Sequence, residues 1–419
     1  MGDLAACVGW DWADQEHEVC MRVEGSQQVE REQVRGTPEA LHAWARKIEQ
    51  RFGGRPVGVC IETSRAAVIW ALCSYAHLIL FPVNPKSAAS FREAFYPSGK
   101  KDDPVDADVL MMMLDKHGEK IRPLKPADPD TRALGMLSEY RRKLVGDLVR
   151  DTNRLRAVLK SYYPQALELV GDLDTPMACD LIERWPSLDK IMRSRPSTLR
   201  AFYTQHRSRS KELMEERLEI ARTAVALTSD PAMIESGSIQ ATGLVRVVRA
   251  LLESIAEVDQ TIGERYQAHA EHKLIDSFPG AGAVIGPRLI ALLSSDRERF
   301  GSHEDLQRMT GVAPVTSRSG GRDGTISVHR RLKRSKFIHQ TIVEWAGHTL
   351  KSSQWAREYY ATKEATGASR FKILRSLGYK WLRILYHCWK TRVLYNEQTH
   401  QEGLIRRRSP LAARLLPAA

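Results

Sequence analysis

The chain has 419 residues, 42% hydrophobic and 27% charged, which excludes a disordered or fibrous protein and leaves room for two or three domains. Its net charge of +12 is unevenly placed: from Gly311 onward there are 21 Lys/Arg against 6 Asp/Glu, whereas the first 310 residues hold 42 against 45. That excess in the last quarter points to a nucleic-acid partner there.

The first 120 residues read as α/β. Ala6 to Trp12 is a short apolar run, and Val19, Met21 and Val23 alternate with polar neighbours, so a β-hairpin is expected. Thr37 to Phe52 has helical spacing, Val57 to Ile61 is a buried-type strand ending at Glu62, and Ala66 to Tyr75 reads as a helix. Leu78 to Val83 follows as a strand and Ser87 to Ala94 as a helix, implying a mixed sheet with crossovers. Pro104 suits the first turn of a further helix.

A proline-rich connector, Arg122 to Pro129, marks a boundary, and beyond it the chain is helical. Leu134, Leu137, Leu144, Leu148, Leu155, Val158 and Tyr162 keep 3-4 spacing, as do Leu244, Val248, Leu251, Ile255, Val258 and Ile262. Two such segments fit an antiparallel coiled coil, within the chain or between chains, or an ordinary helix-bundle core. A Gly/Ser/Arg-rich loop at 317–325 leads to two amphipathic helices, Leu332 to Leu350 and Ser369 to Trp389, and then to a basic tail expected to be disordered. The domains expected are therefore 1–122, 123–270, 271–395 and a tail at 396–419.

Six scattered cysteines, without a C-x-x-C pair, argue against a zinc site or disulfide framework and fit a reducing cytoplasm. The N-terminus lacks the basic-then-apolar layout of a signal peptide. The apolar run Ala66 to Val83 is interrupted by Ser74, Tyr75 and His77, so it reads as a helix turning into a strand and not as a membrane span.

Asp11 and Glu62 sit at strand ends, and Asp103 and Asp106 are three apart at a helix start, on one face. Gathered carboxylates repel unless a cation neutralises them, and oxygen-only ligation selects Mg²⁺ or Mn²⁺. Taken singly, each acid also reads as a solvated cap or turn residue, and Asp102 and Asp108 leave the register open. Leu274 to Arg288 has the form of a helix-hairpin-helix turn, in which Gly280 and Gly282 would let backbone approach a phosphate. In Ser317 to Gly324, two serines stand beside Arg318 and Arg322; composition alone makes this a solvated turn. Arg330, Arg331, Lys333, Arg334 and Lys336 follow, at a density suited to phosphate contacts. Trp345, Trp355, Trp381 and Trp389 have the spacing of core residues more than of base-stacking ones.

Together these segments resemble the DEDD transposases of insertion sequences, which share their architecture with Piv-type invertases and include the bridge-RNA-guided recombinases. The matching motifs are Val8-Gly-Trp-Asp11, Cys60-Ile-Glu-Thr-Ser64, Val83-Asn-Pro85, Lys101-Asp-Asp-Pro-Val-Asp-Ala107, Phe278-Pro-Gly-Ala-Gly282, Gly311-Val-Ala-Pro314 and Ser319-Gly320. The resemblance sets the register at Asp103 and Asp106. It implies an RNase H-like (RuvC-like) N-terminal domain whose Asp11, Glu62, Asp103 and Asp106 bind Mg²⁺ or Mn²⁺. It also implies a helical C-terminal transposase domain in which Ser319, not Ser317, forms a covalent link to DNA. The sites would meet across subunits of a homodimer or homotetramer, and a structured guide RNA would join element-end and target DNA as partners in the cytoplasm, at the nucleoid. Asp14 departs from the pattern, standing where relatives often carry lysine. The competing readings are a metal-dependent junction nuclease with no covalent step and a non-catalytic nucleic-acid-binding scaffold.

Overall fold

A computed structural model describes residues 4–62, 66–95, 103–208, 210–318, 326–330 and 335–415. The chain divides into two compact units, Met1–Pro126 and Ala127–Ala419.

The first unit is built on a five-stranded sheet of β1 (Ala6–Asp11), β2 (Glu16–Val23), β3 (Val29–Arg35), β4 (Val57–Glu62) and β5 (Leu78–Val83), in the order β3-β2-β1-β4-β5. The first three strands pair antiparallel, while β1 with β4 and β4 with β5 are parallel. The expected hairpin is therefore extended by β3, which sequence patterning missed because its side chains are mostly charged. Those charges are used: Glu32 accepts hydrogen bonds from Trp44 and Lys47, and Glu30 holds Arg51 through both carboxylate oxygens.

The helix carrying Trp44, Lys47 and Arg51 is α1 (Pro38–Phe52), which starts where Thr37 Oγ1 accepts from the Ala40 amide and stops at the left-handed Gly53. It covers one face of the sheet with α2 (Ala66–Leu72), burying Val8 and Trp10 against Leu41, Ala45 and Ile48. Next come α3 (Pro85–Phe95) and α4 (Asp103–His117). On the other face α4 buries Val109, Leu110 and Leu114 against Cys60, Phe81 and Val83. It lies unusually close because β1 and β4 present glycines there. A β-carbon on Gly9 would stand 1.9 Å from the Ala107 carbonyl oxygen, and one on Gly58 would stand 3.0 Å from Leu114 Cδ2.

The second unit is organised by two long helices, α5 (Pro129–Tyr162) and, after α6 (Gln165–Val170), α7 (Pro176–Arg184), α8 (Leu188–Met192), α9 (Pro196–Gln205) and α10 (Lys211–Thr223), α11 (Pro231–Ala268). They run antiparallel within the chain: Asp130 pairs with Arg265 near one end, Arg141 with Asp259 further along, and Tyr162 packs on Gly237 at the other. Leu134, Leu144, Leu148 and Leu155 of α5 and Val248, Val258 and Ile262 of α11 are buried, as their spacing requires. One end of the pair shares its core with α6–α10.

The other end shares a core with the remaining helices: α12 (His272–Asp276), α13 (Ile285–Leu293), α14 (His303–Thr310), α15 (Lys336–Thr349), α16 (Gln354–Glu364), α17 (Arg370–Thr391), α18 (Glu397–Arg406) and α19 (Ala412–Leu415). Trp345, Trp355, Trp381 and Trp389 are all buried there. Three of their indole N–H groups have fixed acceptors: Pro279 O for Trp345, Tyr395 Oη for Trp355 and Thr349 Oγ1 for Trp381. Between α14 and α15 lies a two-stranded ladder that sequence patterning did not anticipate, β6 (Pro314–Arg318) with β7 (Ile326–Arg330), and the loop expected at 317–325 overlaps it only at Ser317 and Arg318.

The segment 396–419 is expected as a disordered tail, but its described part, 396–415, carries α18 and α19 and is anchored. Glu397 accepts from Ser353 Oγ, the Gln354 amide and Tyr395 Oη, and Leu411 and Leu415 are buried in the core. Basic residues dominated the reading of this stretch, while the anchors are one carboxylate and two leucines. Among the described residues no helix is long and apolar enough to cross a membrane; Ala66 to Val83 forms α2 and β5.

Candidate active site

Strand parity sets the first two carboxylates. Asp11 shares its face with Cys7 and Gly9, and Glu62 with Gly58 and Cys60, so both leave the sheet on the side that α4 covers. Trp10 pairs in register with Ile61 on the parallel strands, so Asp11 and Glu62 are neighbours at the C-terminal ends of β1 and β4. The close approach of α4 at Gly9 then brings Asp106, next to Ala107, to the same place. Asp11, Glu62 and Asp106 line one cavity of about 280 Å³, with Trp12, Pro85 and Arg92 among the other walls.

Pro85 belongs to the Asn-Pro motif. Asn84 turns the end of β5 into α3 by accepting from the Lys86 amide through Oδ1 and from the Ser87 amide through its carbonyl. That turn delivers Arg92, which sequence reasoning overlooked. Its Nη1 donates to Asp106 Oδ1 at 2.5 Å, and both side chains are half-buried. The only signal was a lone arginine about two turns into a helix after Asn-Pro.

The remaining acids separate. Asp103 opens α4, but its side chain and Asp102 lie outside the described residues. Asp108 is turned toward the sheet, where it holds Arg31 at 2.6 Å. Asp14 is exposed in the β1–β2 turn and does not line the cavity. Among the described residues no three His, Cys, Asp or Glu side chains stand close enough together to hold a metal ion. The donor chemistry of the cavity nevertheless suits a hard divalent cation: three carboxylates and no sulfur or imidazole line it. The nearby thiols offer no alternative nucleophile. Burial, with Cys7 and Glu62 adding to it, pushes Cys60 up to about 12, and burial and Asp115 push Cys7 up to about 11, so both stay protonated.

In the second unit, the ladder pairs Ser317 with Ser327 and Arg318 with Ile326, so residues 319–325 connect paired strands. Ser319 and Arg322 fall in that connection, outside the described residues, as do Arg331, Lys333 and Arg334. Arg318 ends β6, Arg330 ends β7, and Lys336 is exposed at the start of α15.

The expected helix-hairpin-helix turn joins α12 to α13, and its two glycines differ. Gly280 has φ +72° and is pressed against α15, where a β-carbon would stand 2.8 Å from His348 Cβ. Gly282 is exposed and would meet nothing within 4 Å. Gly280 is thus required by packing, and the surface open to a ligand begins at Gly282.

Comparison with known proteins finds two matched regions, the first of which runs from β1 past the end of α5. Residues 8–164 match the family of DEDD transposases of the IS110 type, and residues 272–361 match the transposase family of IS116, IS110 and IS902. A mini-circle protein of Streptomyces coelicolor, named as the transposase for IS117, is 28% identical over 405 residues, covering 94% of this chain and 96% of the relative. The 42 kDa protein of insertion element IS900 from Mycobacterium paratuberculosis is 24% identical over 356 residues, covering 81% and 84%. The 43.6 kDa protein of insertion element IS110 from Streptomyces coelicolor is 23% identical over 419 residues, covering 94% and 96%.

Proposed function

The chain belongs to the IS110-type DEDD transposases of insertion sequences, enzymes that act on DNA, and from that membership we propose that it exchanges DNA strands through a covalent serine intermediate assisted by its carboxylate site. The observation that supports the reading best is the convergence of Asp11, Glu62 and Asp106 on one cavity from three separate elements. An RNase H-like assignment of the first unit is supported by its strand order, antiparallel on one side of β1 and parallel on the other.

In this reading Asp11, Glu62, Asp106 and Asp103 would hold Mg²⁺ or Mn²⁺. The ion supplies electrostatic stabilisation to the phosphate oxygens as charge grows in the transition state. Arg92 keeps the Asp106 carboxylate in place on its helix. Ser319 Oγ gives up its proton and bonds to phosphorus as the bond from phosphorus to one sugar oxygen breaks, and that oxygen leaves as a hydroxyl with one proton taken up in exchange. Arg318 and Arg322 flank the serine in sequence and stabilise the pentavalent phosphate. Gly282, Arg330, Arg331, Lys333, Arg334 and Lys336 contact nucleic-acid backbone. A structured guide RNA and a homodimer or homotetramer, arranged by the α5–α11 pair as a coiled coil, complete the assembly.

The test is strand cleavage of element-end DNA by Asp11→Asn and Glu62→Gln proteins. Both lose cleavage while retaining duplex binding. Undiminished cleavage would remove the carboxylates from the chemistry, and duplex binding without cleavage by the wild type would favour the scaffold reading.

A further inference from the structure

Most helices of the second unit that carry arginines also carry the acids that pair with them. Arg154 holds Asp151, Arg193 holds Asp189, Arg222 holds Glu219 and Arg308 holds Asp305, each within one helical turn, and Arg200 holds Glu215 of the next helix. Such pairs neutralise a solvated surface. Helix α17 does not follow this pattern: across Arg370–Thr391 it has six Lys/Arg and no Asp or Glu. Lys390 is paired with Glu298. Lys380 and Arg383 are exposed and have no carboxylate partner among the described residues.

Neighbouring helices bring further bases to this face. Lys380 lies over the ring of Tyr359 from α16, with Nζ 5.2 Å from its centroid, and Tyr359 Oη is hydrogen-bonded to Ser376 of α17 at 2.5 Å. Helix α18 meets α16 through a tilted contact of the His400 and Trp355 rings, 5.0 Å between centroids. Partial burial, reinforced by the nearby Arg383 and Lys363, holds Lys380 below its ordinary value although the residue still reaches solvent. Burial lowers His400 to about 4; Glu397 opposes that shift, and Arg407, Arg383 and Lys380 reinforce it. Lys380 and Arg383 stand one turn apart on α17 with Lys363 of α16 within electrostatic reach of Lys380, and Lys380, Arg383 and Arg407, the residue that follows α18, all act on His400, on helices that share one core. Assembling like charges this closely is unfavourable in the free protein and favourable when a polyanion neutralises them.

We propose that Lys363, Lys380, Arg383 and Arg407 form a second nucleic-acid contact surface, which binds the phosphate backbone of a duplex and is additional to the segment around Arg330 to Lys336. The ligand is a run of phosphodiesters, from DNA or RNA. This inference rests on the reading that the protein works on nucleic acid, and needs neither the serine chemistry nor the carboxylate site.

The test uses the full-length protein with substitutions Lys380→Gln, Arg383→Gln and Arg407→Gln combined. Its affinity for random-sequence duplex DNA and duplex RNA of equal length is measured as a function of salt. Each lost phosphate contact reduces the slope of log affinity against log salt by about 0.9 on DNA. The expected result is a slope shallower by about 2–3 on at least one duplex, and the duplex affected identifies the source of the backbone. A charge-conserving variant, Lys380→Arg with Arg383→Lys and Arg407→Lys, keeps the wild-type slope. The double variant Arg193→Gln with Arg200→Gln, which removes paired charges elsewhere, also leaves it unchanged. An unchanged slope on both duplexes overturns the proposal, as does an equal loss in the paired-charge control. If the wild-type protein binds neither duplex, the underlying reading falls with it. A Ser319→Ala protein retains all four bases and keeps the full slope, which separates the two claims.

Discussion

Gly9 of β1 and Ala107 of α4 are in backbone contact: a methyl on Gly9 would lie 1.9 Å from the Ala107 carbonyl oxygen and 2.4 Å from the Met111 amide nitrogen. Both obstructing atoms are main chain, so no rotamer change can relieve the clash. The contact sets the distance between the strand that ends in Asp11 and the helix that carries Asp106.

Gly9→Ala therefore forces α4 off the sheet. The expected cost is about 1–3 kcal/mol of stability, as for other overpacked cores, read by denaturant unfolding. Strand cleavage falls further than stability alone explains, because Asp106 moves with α4. A variant with wild-type stability and activity would show that the approach is not required.

The two glycines of the α12–α13 turn separate packing from binding. Gly280→Ala combines a left-handed backbone with a contact 2.8 Å from His348 Cβ, and loses about 1–3 kcal/mol of stability. Gly282→Ala leaves stability within about 0.5 kcal/mol, as expected of an exposed site, and weakens duplex binding. Calorimetric melting and a binding titration on both proteins check the pair.

Acid sensitivity has one assignable source at the start of α5. Although burial raises Asp128, hydrogen bonds from the Thr131 hydroxyl and amide outweigh it and hold the carboxyl down to about 2, against an ordinary 3.8. A depressed carboxylate contributes stability that is fully present above its unfolded value and is lost as pH falls through its folded value. Asp128→Asn should thus be less stable than wild type by about 1–2 kcal/mol at pH 7, with the gap closing between pH 4 and pH 2. Chemical denaturation across that range measures it, and a gap independent of pH would contradict the assignment.

Arg92 competes with any cation for Asp106. Removing an ion pair of this burial frees about 0.5–1.5 kcal/mol, so Arg92→Ala should bind Mn²⁺ about 3–10-fold more tightly than wild type in a paramagnetic titration. Asp106→Asn should bind it more weakly. Unchanged affinity in both proteins would remove the cavity as a cation site.

Much of the first unit was legible because its signals are local. Thr37 followed by Pro38 starts α1 and Gly53 ends it, and the apolar run of β4 stops at the acid that lines the cavity. Other features depend on partners distant in sequence. The strand β3 is polar because Glu30 and Glu32 answer Arg51, Lys47 and Trp44 of α1. Helix α18 reads as part of a basic tail until Glu397 is seen bonded to Ser353 and Gln354. In the site, motif order singled out Asp11, Glu62 and Asp106, which line one cavity, whereas Arg92 emerges only once α3 and α4 are packed together. The four tryptophans were assigned to the core from spacing, and burial explains why they do not stack on bases.

The most direct test of serine-mediated exchange is a trapping experiment with a suicide DNA substrate, in which the cleaved strand cannot be religated. Wild-type protein should accumulate a protein–DNA adduct that survives denaturation, and Ser319→Ala should give none while still binding the substrate. An adduct that persists in Ser319→Ala, or cleavage to free ends with no adduct in the wild type, would contradict the account.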